Sequence, residues 1–467
     1  MRNLLSFSLM LMLVVSCGDT GKPSNGPVAT KTNTRSAPVK PSHVVVIGID
    51  GASWYVMRQL ARDGEIPTIA RLMKDGAWGD LQTLSPTESP TIWTTIATGY
   101  SPDRHGITSF TSVVPGTGAT TLVSSTSRRE AAIWNLASDA HIRVGVVNWW
   151  ATFPAETVDG FVVSDRANLR RRFGYQSVLG LNDKQLGKVG EGETYPAQLL
   201  PHILDIIGTN TDVPPAAKTF LFDPLPKDLQ TEVAKHQTLV RDQRLSVLKF
   251  VVLQDHAAAT ATRVALKEIG MPKLLMVYFS GLDAAEHQFW AYYEPHRYPV
   301  PPSPEEVKNF KHVIPGYYRY VDSQIADLLR QLPPDSLIVL VSDHGHDANL
   351  YWDPKAQIGD YAKWSMGNHG NAPAGILLFA GPGVQAGQTR RISVYDVTPT
   401  LLALIGLPPT RDMPGRVITE AFTPERRASL PRDRVDRQTH ARPAGNPVAA
   451  DVDPELLEKL RALGYIR

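Results

Sequence analysis

Three long apolar runs in this chain each lead into an aspartate. His43–Asp50 reads HVVVIGID, Lys273–Asp283 reads KLLMVYFSGLD and Leu337–Asp343 reads LIVLVSD. A run without polar alternation is what a strand buried on both faces requires, because its side chains point in turn to two apolar layers. Ala374–Ala380, AGILLFA, is a fourth such run. Helical patterns lie around them at Trp54–Asp63, Ile66–Lys74, Gln243–Ile269, Pro304–Leu332 and Tyr395–Ile405, with Pro315 expected to interrupt or kink the fourth. Apolar strands alternating with helices predict an α/β fold whose central sheet is mostly parallel and flanked by helices. Polar clusters and prolines across 165–242 predict an inserted cap over that core.

In open α/β sheets ligands gather beyond the carboxyl ends of the strands. Asp50, Asp283 and Asp343 are expected there together, and three converging carboxylates repel one another unless a cation lies between them. Histidines accompany them. Asp283 and His287 are four apart, one helical face if the segment is helical. His344 adjoins Asp343 in the glycine-flanked run Ser342-Asp343-His344-Gly345-His346, and His369 lies in Gly367-Asn368-His369-Gly370, just before the fourth run. Three Asp and three His suffice for two ions with three protein ligands each and open positions for substrate. Mixed nitrogen and oxygen ligation suits Zn²⁺, with Mn²⁺ or Fe as alternatives. Two close metals suit phosphoryl transfer, which needs an oxygen nucleophile.

Ser85–Gly106, SPTESPTIWTTIATGYSPDRHG, supplies hydroxyls. Thr94–Thr98 reads as helix and the proline-rich run before it as a loop. A hydroxyl at a helix N-terminus lies beside unpaired N–H groups and a positive dipole end, where an alkoxide and a phosphate are both favoured. Ser85, Thr87, Ser89, Thr91, Thr94 and Thr95 are all candidates, and spacing alone does not choose among them.

The motifs VVVIGIDG, SPTIWTTIATGYSPDRHGI, GLDAAEH, SDHGH and GNHG resemble the alkaline phosphatase superfamily, most closely its type I phosphodiesterase/nucleotide pyrophosphatase branch, from about His43 to Thr419. The resemblance implies an alkaline-phosphatase-like catalytic domain over 42–425 and hydrolysis of phosphodiesters or phosphomonoesters through a phosphoserine intermediate. It implies that Asp50, Asp343 and His344 hold one metal and Asp283, His287 and His369 the other. It also implies Ser89 as the nucleophile, nine residues ahead of the Thr98-Gly99 pair, with Thr91 as the second candidate. Trp93, four residues after Ser89, departs from the sulfatase pattern, which places Arg there. Phe110 stands where nucleotide-processing members carry an Asn, which argues against nucleotide pyrophosphatase activity in particular. The rival readings are a phosphoryl-group transferase of the cell envelope using the same site, and a binding protein that keeps the fold.

The rest of the chain bears on setting. A net charge of +2 gives no reason to expect a nucleic-acid polymer as partner. Arg170-Arg171-Arg172 is one short basic run, read as a solvated loop. The single cysteine, Cys17, follows a short apolar stretch and Val15-Ser16. Residues 1–17 thus resemble a bacterial lipoprotein signal, implying an exported protein anchored to a membrane of the bacterial envelope through a lipid on Cys17. Residues 18–41 read as a flexible tether, and 426–467 as a charged tail ending in an amphipathic helix, Pro454–Leu463.

Overall fold

The computed structural model describes residues 41–113, 120–167, 191–207, 212–235, 242–356, 361–371 and 373–436. Cys17, most of the tether, Arg170–Arg172 and Pro454–Leu463 lie outside them. Among the described residues no helix is long and apolar enough to cross a membrane.

The strands of the central sheet, in chain order, are β1 (Val44–Ile49), β2 (Ala77–Gln82), β3 (Val144–Val147), β4 (Gly160–Val163), β5 (Thr194–Tyr195), β6 (Leu274–Phe279), β7 (Leu337–Val341), β8 (Gly375–Ala380), β9 (Gly387–Gln388) and β10 (Ile392–Ser393). Their spatial order is β9-β2-β8-β7-β1-β6-β3-β4-β5, with β10 also on β2. The run β7-β1-β6-β3-β4 is parallel throughout. β8 runs antiparallel to both its neighbours, β2 and β7, and β5 antiparallel to β4.

The continuity of the apolar runs follows from this placement. Val45, Ile47 and Ile49 of β1 join one apolar cluster, while Val44 and Val46 join the one on the opposite face. Each such side chain contributes about 1.5–3 kcal/mol on full burial, so a polar residue in β1 would be costly on either side. The first face is covered by helices α1 (Trp54–Arg62), α2 (Pro67–Asp75), α4 (Gln243–Ile269), α5 (Gly281–Tyr293) and α6 (Val313–Leu329); the second is covered by α3 (Ser89–Thr98) and α7 (Val394–Ile405).

Two expected helices differ. Helix is expected only from Thr94, but α3 begins at Ser89, with Pro90 in its first turn. Proline reads as a loop former, yet its missing N–H costs nothing at a helix start and its fixed φ favours one. The expected single helix over Pro304–Leu332 is two, Pro304–Phe310 and α6, broken at Lys311–His312. Pro315 falls in the first turn of α6, where again no hydrogen bond is lost. Within the 165–242 region, β5 extends the sheet edge, and Leu199, Ile203, Leu221 and Phe222 are buried in the same apolar cluster as α4.

Register sets the site. Gly48 pairs with both Tyr278 and Val341, and Ile49 pairs with Phe279, so β1, β6 and β7 end level. Asp50, the α5 N-terminus and Asp343 therefore emerge on one edge. Because β8 is antiparallel, the residues preceding it reach that same edge, which brings His369 there.

Candidate active site

Asp50 follows β1 directly, and its N–H donates to the Phe279 carbonyl at 3.0 Å. Gly51 turns the chain at φ +74°; a Cβ there would lie 2.9 Å from Glu286 Oε2 and 3.0 Å from Asp283 Cα, so only glycine lets α5 come this close. α5 carries Asp283 and His287 on one face. Its N-terminus is capped from α4 by Asp255, whose carboxylate accepts the Ser280 N–H at 3.0 Å, the Gly281 N–H at 3.3 Å and the Tyr317 hydroxyl at 2.9 Å. Burial pushes Asp255 up to about 7.

One cluster consists of Asp50, Asp343 and His344. His344 Nε2 lies 3.1 Å from Asp343 Oδ2, 3.5 Å from Asp50 Oδ1 and 3.3 Å from Ser89 Oγ. A second cluster consists of Asp283, His287, His346 and His369, whose ligand atoms lie within 4.8 Å of one another. His287 Nε2 is 3.5 Å from Asp283 Oδ2, and His346 Nδ1 is 3.5 Å from Asp283 Oδ1. The His344 and His369 rings stack at 4.1 Å, so the clusters adjoin.

Neighbouring groups orient these side chains. The Tyr278 hydroxyl and Trp93 Nε1 both donate to Asp50 Oδ2, the latter at 3.3 Å, which turns Oδ1 toward His344. His287 Nδ1 faces the Gly367 carbonyl at 2.8 Å; a proton there leaves Nε2 as the lone-pair nitrogen facing Asp283. The Thr87 hydroxyl donates to the His369 carbonyl.

The donor set fits divalent cations. Two donors at about 2.0–2.1 Å from one tetrahedral ion sit about 3.3 Å apart, and the His–Asp separations within both clusters, 3.1–3.5 Å, bracket that edge. Asp50 Oδ1 and Asp343 Oδ2 are buried and accept no hydrogen bond. Burial, then the neighbouring Asp50 charge, raises Asp343 well above the usual carboxylate range. Burial likewise raises Asp50, against the opposing hydrogen bonds from Tyr278 and Trp93. Carboxylates crowded in this way need positive charge between them.

The six residues that the resemblance implies as ligands thus fall into the two groups it implies, and the structure adds His346. That residue stands in the SDHGH run, but nothing in its spacing distinguishes it from a turn residue. Tyr278 and Trp93 were also illegible: one sits mid-strand, the other mid-helix, in runs that read as core.

Of the six candidate hydroxyls, Ser89 is the one that faces His344, from the first residue of α3. Ser85 is exposed, and Thr87 is engaged with His369. Thr94 donates to the Pro90 carbonyl and Thr95 to that of Thr91. Thr91 Oγ1 is buried and makes no hydrogen bond. His105, in the Asp103-Arg104-His105-Gly106 run, packs on Thr95 Oγ1 at 3.0 Å and belongs to neither cluster. Phe110 is buried edge-on against Trp150 at 5.5 Å, so this position presents an aromatic face and no hydrogen-bonding side chain.

The model of the type I phosphodiesterase/nucleotide pyrophosphatase family matches residues 44–382. The chain belongs to that family. It is accordingly a phosphoester hydrolase. No curated protein matches the chain in sequence. Among solved structures, the wild-type alkaline phosphatase PafA is 13% identical with a TM-score of 0.51, over 83% of this chain and 100% of that one. Murine ectonucleotide pyrophosphatase/phosphodiesterase 5 is 13% identical with a TM-score of 0.44, over 78% and 95%. The phosphonoacetate hydrolase of Sinorhizobium meliloti 1021 is 17% identical with a TM-score of 0.38; the match covers 69% of this chain and spans 61% of the hydrolase. At these identities likeness speaks for fold alone, and PafA supports the alkaline-phosphatase-like α/β architecture.

Proposed function

We propose that the family chemistry runs here as metal-dependent hydrolysis of a phosphate ester, with Ser89 as nucleophile and a phosphoserine intermediate. The observation that carries this is Ser89 Oγ, 3.3 Å from His344 Nε2 in the cluster of Asp50 and Asp343. Asp50, Asp343 and His344 would hold one divalent cation and Asp283, His287 and His369 a second, Zn²⁺ suiting the mixed donors best. Bound there, the pair would neutralise charge on the transferred group and favour the ionised hydroxyl.

The chain's own part is to place the reacting atoms. Ser89 stands at the N-terminus of α3, whose dipole and first N–H groups favour both an alkoxide and a phosphoryl oxygen. In the first step the Ser89 Oγ–P bond forms as the ester P–O bond breaks and the alcohol departs. In the second, a water oxygen bonds to phosphorus, the Oγ–P bond breaks and Ser89 recovers its proton. Tyr278 and Trp93 hold Asp50 throughout.

Purified protein is expected to release p-nitrophenol from p-nitrophenyl phosphate or its bis ester. Chelation should abolish release, and Zn²⁺ or Mn²⁺ should restore it. Turnover indifferent to chelation would sink the metal-dependent reading.

From residues 1–17 we also propose lipid anchoring at Cys17 on a membrane of the bacterial envelope. Cys17→Ser is then expected to move the protein from the membrane to the soluble fraction; unchanged fractionation rejects the anchor.

A further inference from the structure

We infer that His346 is a fourth protein donor at the Asp283 centre; the inference rests on the two-ion reading above.

His346 Nδ1 stands off Asp283 Oδ1 by 3.5 Å, the same spacing as His287 Nε2 from Asp283 Oδ2. Its ring lies 4.5 Å from that of His287 and 5.3 Å from that of His369, centroid to centroid. The ring is fixed on several sides. It stacks on Trp290 at 5.9 Å, and Gly367 leaves room for it: a Cβ at Gly367 would meet His346 Cδ2 at 3.0 Å. Glu286 Oε2 is 3.1 Å from His346 Nδ1, and Glu286 Oε1 accepts the Tyr318 hydroxyl at 3.1 Å. Glu286 and His346 are both inaccessible or nearly so, at 0% and 1% exposure. Nδ1 thus faces two carboxylates, that of Glu286 and that of the proposed ligand Asp283, and a cation beside them would engage the nitrogen lone pair and offset both charges.

The two centres are then unequal. Asp50, Asp343 and His344 supply three donors beside the Ser89 hydroxyl, which leaves room for substrate. Asp283, His287, His346 and His369 supply four, three of them imidazole. That is enough to complete a tetrahedral shell without an outside ligand, and it favours Zn²⁺ over harder cations. The ion at the Asp283 centre should bind more tightly and leave last on chelation.

The test is Zn²⁺ titration of metal-free full-length protein against a chromogenic chelator, with Co²⁺ electronic absorption as a second readout. Wild type is expected to bind two ions of unlike affinity. His346→Ala should weaken the tighter site by about 100-fold or more, beyond the 10–100-fold that loss of an outer-shell partner costs, leave the other unchanged and alter the visible bands of one Co²⁺ equivalent. His346→Gln, polar and of similar reach, decides the question where His346→Ala does not fold. Two ions in wild type, with affinities and Co²⁺ spectrum unchanged by either His346 substitution, would overturn the inference and leave the two-ion reading standing. A single ion whose affinity depends on His346 would sink the two-ion reading and keep the inference.

Discussion

Ser89→Ala is expected to lower kcat on p-nitrophenyl esters by about three orders of magnitude or more, roughly 4 kcal/mol of transition-state stabilisation, while metal content stays at the wild-type level. The hydroxyl is the bond-forming atom in the proposed first step, and alanine removes it without touching a ligand. The substitution is also structurally mild. Ser89 is the first residue of α3, its side chain caps no helix, and its one described side-chain contact is with His344. Stability should therefore change little. Thr91→Ala is the companion experiment. Thr91 Oγ1 makes no hydrogen bond, so its loss should alter turnover only a few-fold. Acid quenching of wild type during turnover of a ³²P-labelled ester should trap label on the protein, and Ser89→Ala should trap none. Full turnover by Ser89→Ala, or a collapse confined to Thr91→Ala, would reassign the nucleophile.

What was legible in the sequence follows the physics that writes it. β1 and β7 are readable almost to the residue because strands buried on both faces have no polar positions to blur their ends. α4 is readable as Gln243–Ile269 because Asp242 caps its start, accepting the N–H groups of Arg244 and Leu245, and Gly270 ends it. The start of α3 was not readable, since prolines mark loops and helix starts alike. Nor was the direction of β8, because an apolar run carries no sign of which way its neighbours run. That direction matters: His369 reaches the site by preceding an antiparallel strand. Spacing placed three aspartates and three histidines in one region, but their division into two groups came from family resemblance. His346, Glu286 and Tyr278 meet the ligands only through tertiary packing, and no local pattern announces such contacts.

Removing the ions should make stability fall as pH rises, and Zn²⁺ should reverse that trend at the same site. In the metal-free fold, burial and mutual charge raise Asp343, and burial raises Asp50, above the ordinary carboxylate value. The folded state then keeps protons that the unfolded chain has released above about pH 4. With more protons bound in the native state, the free energy of unfolding decreases as pH rises through this window. A bound cation ionises both groups in the folded state, and stability then grows with pH through the carboxylate range. Asp255, pushed up to about 7 by burial, adds a downward slope in both forms, so the informative quantity is the difference between the curves. Thermal unfolding from pH 4 to 8, with chelator and with Zn²⁺, should give midpoints that diverge steadily. Asp343→Asn separates charge from packing. It removes one of two crowded carboxylates, so it should raise the neutral-pH midpoint of the metal-free protein and lower that of the Zn²⁺ form. Parallel curves for the two forms, or an equal loss in both on Asp343→Asn, would mean that these carboxylates are balanced by something other than a cation.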